Sequence, residues 1–478
     1  MRFGPGAALL LACAVPGCLP DNPSSDDATE TDNETSDTTS TPDVDNMLGC
    51  PAGESCVVVL VAQALDDRVE VFGGLAGGTP SYRGGIDLDL KPGTEVGPLD
   101  EPFGMALSDT GLHVITGHYP SLERGAMLTF PRAFFDDRDV ALIADDSFFL
   151  GGAFSEGIIE TRFEEAEPIF VLGRPVSGKV LVSVFANDLF ANEESWTTPG
   201  KLAVVDASNP SDFAMATLTG LENGDCDGAS ELVLLRDEQT AAVACDGNEA
   251  VAFLDLGDLS APTTDVAAGI TGKLCDLPFL NNRRVRYLAH DGAGGVLVGV
   301  GPTPLNGLVA SQLYNVTPAT CGFVPIEVAP SDAHLGELVR FGDTHWLLAR
   351  GALSSDGERG VQVVSNNGVI CNTLPGLDEA WESEGNILAP YALAVAPDGT
   401  HLAIGAGPAT TGNIENSIYG KVLWATLSGA DDPCTMTAKP VDLGDGGAGH
   451  APAPQPTDAS TWRRAPNVVV VTQVEGGA

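Results

Sequence analysis

The chain has 478 residues and a formal net charge of −43, from 66 acidic against 23 basic side chains. That surplus excludes a nucleic-acid binder working by phosphate counterion replacement and a protein docking directly on anionic lipid. It leaves binding of cations or a basic partner, or, more simply, solubility in a salty or crowded exterior.

In chain order, residues 1–17 come first, reading MRFGPGAALLLACAVPG. One basic residue, Arg2, precedes an apolar core that ends in small residues. That is the layout of a secretory signal, too short to span a bilayer as a helix. Val15-Pro16-Gly17-Cys18 follows the order aliphatic, small, Cys, and resembles the lipobox of bacterial lipoproteins. The resemblance implies cleavage before Cys18 and a lipid on that cysteine. Leu10-Leu11-Ala12-Cys13 also fits, but cutting there leaves a very short signal and nine further cysteines. Cutting at Cys18 leaves eight, an even number that suits an exported chain with paired thiols. Leu19 rather than Asp at the second position implies, by the enteric sorting rule, the outer membrane or cell surface.

Residues 21–48 hold nine Asp or Glu, ten Ser or Thr and no Lys or Arg. Such a segment cannot bury enough apolar surface to offset its ordering entropy. The expected organisation is therefore a signal peptide at 1–17, an acidic tether at 18–48 and a folded body at 49–478. No other apolar run in the body is long enough for a membrane-spanning helix.

The body reads as short β-type runs broken by Gly, Asp, Asn and Pro. "PFGMALSDTGLHVITG" (102–117) aligns without gaps with "PYALAVAPDGTHLAIG" (390–405). Weaker copies start at 173, 230, 284 and 337, giving six hairpins. After each comes a third strand: GAMLTF, KLAVVD, AVAFLDL, SQLYNV, GVQVVS and KVLWATL. "CVVVLVAQALDDRVEVF" (56–72) reads as the last two strands of a seventh unit. "AKPVDL" (438–443) and "NVVVVTQV" (467–474) can supply its first half. Seven units at roughly 61 residues each predict an all-β chain, a β-propeller of seven four-stranded blades closed by pairing its N- and C-terminal strands. Closure removes the open sheet edges. The hairpin pattern resembles the YVTN and WD-repeat-like propellers of bacteria, although the Trp-Asp dipeptide is absent. Eight blades or a pair of β-sandwiches are the competing architectures.

Chemistry is harder to find. No G-x-S-x-G, H-E-x-x-H or P-loop occurs, and the G-x-G-x-x-G at 444–449 precedes no helix. His113, His345 and His401 follow hairpin turns in different repeats, so they do not converge and read as structural. His118 and His334 are isolated. Cys50 and Cys56 close a small loop where the tether meets the fold, and Cys226 and Cys245 bracket a hairpin. Cys275, Cys321, Cys371 and Cys434 pair by neighbours in one of about a hundred connectivities open to eight cysteines. With no C-x-x-C, a thiolate metal site is not expected.

Tight turns fall within the hairpins. Long connections, such as 186–200, 375–390, 407–420 and 444–462, fall mainly on the other face, where function tends to sit. Trp196 and Trp381 lie among carboxylates on two of them and are candidate ligand or partner residues; solvated loops with one buried anchor each are the alternative. Asn223, Asp225, Asp227, Gly228 and Glu231 fit positions 1, 3, 5, 6 and 9 of a D-x-D-x-D-G-x-x-D pattern. It resembles the calcium loops of integrin-type propellers and implies Ca²⁺ as a structural ion; a simple Asp-Gly turn with Cys226 in a disulfide competes. Two functions stay open. One is a membrane-tethered binding or scaffold module for a protein or small ligand; the other is a metal-dependent hydrolase resembling the propeller lactonases. Nothing in the pattern speaks for nucleic acid as a partner.

Overall fold

In the computed structural model the described residues are 50–51, 53–63, 68–87, 99–108, 110–119, 126–131, 159–163, 167–174, 177–185, 198–277, 283–302, 312–326, 333–352, 359–365, 369–383, 386–408, 418–445, 463–464 and 466–475. Blade 1 holds β1 (Ser55–Gln63), β2 (Arg68–Leu75) and β3 (Ser81–Asp87). Blade 2 is β4 (Leu99–Ser108), β5 (Gly111–Tyr119), β6 (Ala126–Pro131) and β7 (Ile159–Arg162). Blade 3 is β8 (Glu167–Arg174), β9 (Lys179–Phe185), β10 (Lys201–Asp206) and β11 (Phe213–Thr217). Blade 4 is β12 (Ala229–Leu234), β13 (Thr240–Cys245), β14 (Ala250–Asp255) and β15 (Thr271–Asp276). Blade 5 is β16 (Arg283–His290), β17 (Val296–Pro302), β18 (Gln312–Thr317) and β19 (Gly322–Ile326). Blade 6 is β20 (Ala333–Phe341), β21 (His345–Ala352), β22 (Gly360–Ser365) and β23 (Ile370–Thr373). Blade 7 adds a short β24 (Glu382–Ser383) to β25 (Asn386–Val395), β26 (His401–Pro408), β28 (Lys421–Ser428) and β29 (Thr437–Asp442). A two-residue β27 (Ile418–Tyr419) pairs with β30 (Arg463–Arg464), and β31 (Pro466–Glu475) ends the chain.

The order of blade 1 is β3-β2-β1-β31, with β1 and β31 antiparallel from Ser55↔Glu475 to Gln63↔Pro466. The ring is therefore closed by the chain ends, as the sequence pattern predicts. The division differs in one respect. One strand of the closing blade comes from the C-terminus and three from the N-terminus. "AKPVDL" instead forms the outer strand of blade 7, pairing with β28. The run of valines in β31 explains this: flanked by neighbouring blades on both faces, an innermost strand wants near-continuous apolar side chains.

The first strands β31, β4, β8, β12, β16, β20 and β25 touch one another in a closed cycle and define the central channel. Seven clusters of buried apolar residues fill the seven seams between adjacent blades. Val58, Leu60 and Ile86 of blade 1, for example, meet Leu112, Leu128 and Phe130 of blade 2. Each such side chain contributes roughly 1.5–3 kcal/mol of burial, so the core is a ring of seams rather than one central mass. A single α-helix among the described residues, α1 (Thr263–Gly269), lies in the β14–β15 connection and places Val266 and Ala267 in the seam between blades 3 and 4.

All eight cysteines of the body are paired: Cys50–Cys56, Cys226–Cys245, Cys275–Cys321 and Cys371–Cys434. Cys18, the acidic tether and Trp196 lie outside the described residues.

Candidate functional site in the central channel

Antiparallel strands force the connections into two sets. The 1–2 and 3–4 turns leave one face of the ring, and the 2–3 and blade-to-blade connections leave the other. The long segments 186–200, 374–385, 409–420 and 443–462 belong to the second set, and two others, 132–158 and 256–270, belong to the first. The inner strands run between these faces, and a repeated irregularity shapes them. In every one of the seven blades the pairing of first and second strand shifts by one residue, at 102/104, 168/170, 229/232, 285/287, 335/338, 390/392 and, in blade 1, opposite 62/63. A bulge adds twist and re-aims a side chain, and such features gather beside functional sites.

Two of the bulges carry a carboxylic acid at the same register. In β12 it is Glu231, within Ser230–Glu231, and in β20 it is Glu337, within Gly336–Glu337. Both follow from a shared local sequence, Glu-Leu-Val, at 231–233 and 337–339. Gly336 is required for close approach. A Cβ there would lie 2.8 Å from both the Ala349 Cβ and the Tyr391 carbonyl oxygen, so no larger residue fits between blades 6 and 7. Glu337 then reaches across the seam, where its Oε2 accepts the Leu393 backbone N–H at 2.8 Å. It is partly reachable by solvent but set deep among protein atoms. Burial pushes its carboxyl up to about 8, against the opposing pull of the Leu393 hydrogen bond. At neutral pH it holds its proton and can act as a hydrogen-bond donor or a general acid. The neighbouring bulge residue Tyr391 is also enclosed, and burial pushes its hydroxyl up to about 12. Glu337 belongs to no motif in the sequence; its signal is the Glu-Leu-Val step that it shares with Glu231.

The histidines after the hairpin turns stay on separate blades, as expected. His113 is fully buried (0 %), with Nε2 2.8 Å from the Ser108 hydroxyl and Nδ1 3.0 Å from the Thr129 hydroxyl. Burial lowers its pKa to about 4, so it is neutral. His401 pairs with Asp398 at 2.7 Å and stacks on Trp424 with ring centres 5.0 Å apart. His345 faces Cys434, Nε2 to Sγ 3.6 Å. These contacts brace turns.

The candidate calcium residues have protein partners. Asp225 Oδ1 accepts the Gly220 N–H at 2.7 Å, and Asn223 Nδ2 donates to the Leu274 carbonyl at 3.0 Å. Asp227 bonds to the Asn248 side chain through both its backbone N–H and its Oδ2. Burial raises the Asp227 carboxyl, with the Asn248 bond opposing. Glu231 belongs to the channel strand rather than the loop. The bracing bonds within 220–227, with the Cys226–Cys245 disulfide, order this loop. Trp381 is also not on the surface. It is 4 % exposed and packs with Leu374, Leu377 and Met436 in the seam between blades 6 and 7, the buried anchor of its loop. Among the described residues, one group of three His, Cys, Asp or Glu ligand atoms lies within 4.8 Å: His345, Cys371 and Cys434, two of them joined as a disulfide.

No family model matches the chain, and no curated protein does. Solved structures match by shape. One is from Bacteroides fragilis and named "putative 6-phosphogluconolactonase": it is 9 % identical, the alignment covers 87 % of this chain and 98 % of that one, and the TM-score is 0.51. A Bacteroides uniformis protein of the same name is 8 % identical, over 88 % and 100 %, with a TM-score of 0.44. A Lactobacillus plantarum protein is 10 % identical, over 88 % and 99 %, with a TM-score of 0.45. At such identities the likeness carries the fold alone: this chain is a seven-bladed β-propeller.

Proposed function

We propose that the protein is an extracytoplasmic propeller, held to the membrane through Cys18, that binds a protein or small ligand on its long-connection face. The observation that carries the binding reading is the set of long connections on a closed, rigid ring: four of 12 or more residues leave the 2–3 and blade-to-blade face, against two, 132–158 and 256–270, on the opposite face. Long loops on a rigid scaffold are where recognition tends to sit. The four disulfides support an oxidising exterior, and the sequence at 15–18 supports the anchor.

A second reading is a hydrolase working in the channel. It is favoured by Glu337, whose perturbed carboxyl has the protonation state of a general acid. One set of measurements separates the two. The protein is screened against glycan arrays and oligolysine peptides, and assayed with aldonolactones in the presence of divalent cations. Ligand binding that is lost when 186–200 and 408–420 are replaced by short Gly-Ser linkers, yet survives Glu337→Gln, is the expected result. Lactone turnover abolished by Glu337→Gln would replace the binding reading with the hydrolase.

A further inference from the structure

The group formed by His345, Cys371 and Cys434 belongs to neither the channel nor the long-connection face. His345 opens β21 just after the 1–2 turn of blade 6. Cys371 is the second residue of β23, just after the 3–4 turn of the same blade. Cys434 sits in a short 3₁₀ turn, Pro433–Thr435, in the 3–4 connection of blade 7. Three turns from two blades thus meet on the face of the 1–2 and 3–4 turns. Two further ties fix the junction: Asn372 Nδ2 to the Met436 carbonyl at 2.8 Å, and the Ala438 N–H to the Pro375 carbonyl at 2.9 Å.

The histidine is oriented as a metal ligand would be. Its Nδ1 lies 2.9 Å from the Thr344 hydroxyl, while Nε2 points at the Cys434 sulfur, 3.6 Å away. The Thr344 hydroxyl can accept from Nδ1–H, and in that tautomer the Nε2 lone pair is left for a metal. The three ligand atoms lie within 4.8 Å of one another, and all three residues are partly solvent-accessible. Tetrahedral zinc needs thiolates about 2.3 Å from the ion, hence sulfurs about 3.8 Å apart. The cysteine Cα atoms, 5.2 Å apart, allow that separation by side-chain rotation once the S–S bond is open.

We propose that the Cys371–Cys434 disulfide is the oxidised form of a Cys₂His site that binds Zn²⁺ when reduced, with His345 as third ligand and one position left open. The exchange balances with a dithiol as reductant. Two electrons break the S–S bond, the dithiol closes to its own disulfide, and its two protons pass to the Cys371 and Cys434 sulfurs. Zn²⁺ then displaces those protons to solvent as both thiolates bind. In either state the rim of blades 6 and 7 stays clasped, by a covalent bond or by a metal. The site is independent of the proposed ligand-binding role.

The test uses the full-length protein, reduced with a dithiol, freed of it without oxygen, and titrated with Zn²⁺ against a chromophoric chelator. Reduced wild type should hold one more Zn²⁺ per chain than the reduced Cys371→Ser, Cys434→Ser double variant. His345→Ala should bind that ion at least about tenfold more weakly, while its oxidised form melts as wild type does. Equal stoichiometry in wild type and double variant would overturn the proposal, as would wild-type affinity in His345→Ala. Cobalt gives a second readout that does not need the double variant to fold. A thiolate-to-cobalt band should appear in reduced wild type and change in His345→Ala; an unchanged band removes His345 from the site.

Discussion

Replacing Glu337 by Gln should stabilise the protein, and only above the acid range. Gln keeps an oxygen that can accept the Leu393 N–H and has no proton to lose. The wild-type carboxyl releases its proton near 4.5 in the unfolded chain but holds it up to about 8 in the fold. Between those values the folded state binds the extra proton, so stability falls as pH rises, by up to about 1.4 kcal/mol per pH unit. Below about 4.5 both states are protonated, and above about 8 both are ionised, so the penalty is flat outside that window. Carried across the window, it reaches about 5 kcal/mol at the most. Denaturant unfolding of wild type and Glu337→Gln at pH 4.5, 6 and 8 reads it directly, because every other titration is common to both. The expected advantage of Gln is near zero at pH 4.5 and about 2–5 kcal/mol at pH 8. A difference that does not change with pH would refute the account of Glu337 as a buried, protonated acid.

His113 should act in the opposite direction. Its unfolded form gains a proton near 6.5 and its folded form only near 4, so stability is lost as pH falls through that interval, by up to about 3 kcal/mol; denaturation of wild type against His113→Gln should show the loss in wild type alone. Deleting 465–478 removes the strand that pairs with β1 along its whole length and should lower the melting temperature of the entire body; an unchanged single transition would contradict closure by the two chain ends. Cells fed an alkynyl fatty acid should label wild type and not Cys18→Ser, and a labelled Ser variant would remove the anchor.

The fold was legible because its unit repeats. The six hairpins, their third strands and the β31–β1 closure are all visible as periodic apolar runs, since each strand is flanked by blades on both faces. What misled was composition read at one position. "AKPVDL" looked available for closure because an outer strand, with one free edge, mixes polar and apolar residues as a terminal strand does. Trp381 left two readings open, a displayed ligand residue or a buried anchor, because carboxylates surround it in sequence; in space its indole fills the seam between blades 6 and 7. Asn223, Asp225 and Asp227 of the spacing rule lie on the loop before β12, and Glu231 lies within that strand. The Cys371–Cys434 pair follows neighbour order, but Glu337 and the approach of His345 to that pair were illegible for a deeper reason. Their partners lie 56 residues away in the first case and 89 in the second, and no local motif encodes such meetings.

The pairing of the cysteines follows from the geometry of the ring. Blades meet tightly at their inner strands, where Gly336 and Ala349 admit Tyr391, and diverge toward the rim. The outermost turn of each blade is the one between strands 3 and 4, and it reaches back to the preceding blade. At blades 2 and 3 the Thr161 hydroxyl of β7 donates to the Pro210 carbonyl of the β10–β11 turn at 2.8 Å. At blades 3 and 4 the connection has grown into α1, whose Thr263 hydroxyl lies 2.7 Å from Asp212 Oδ1. At blades 4 and 5 Cys321 of the β18–β19 turn is bonded to Cys275 of β15, and at blades 6 and 7 Cys434 is bonded to Cys371 of β23. One topological position thus carries a hydrogen bond, a helix or a covalent tie. The two disulfides close loops of 46 and 63 residues, each worth about 4 kcal/mol against the unfolded chain in the loop-entropy account. The covalent ties across the rim are therefore set between blades 4 and 5 and between blades 6 and 7, and Cys371–Cys434 is the one of them with a histidine at its sulfur.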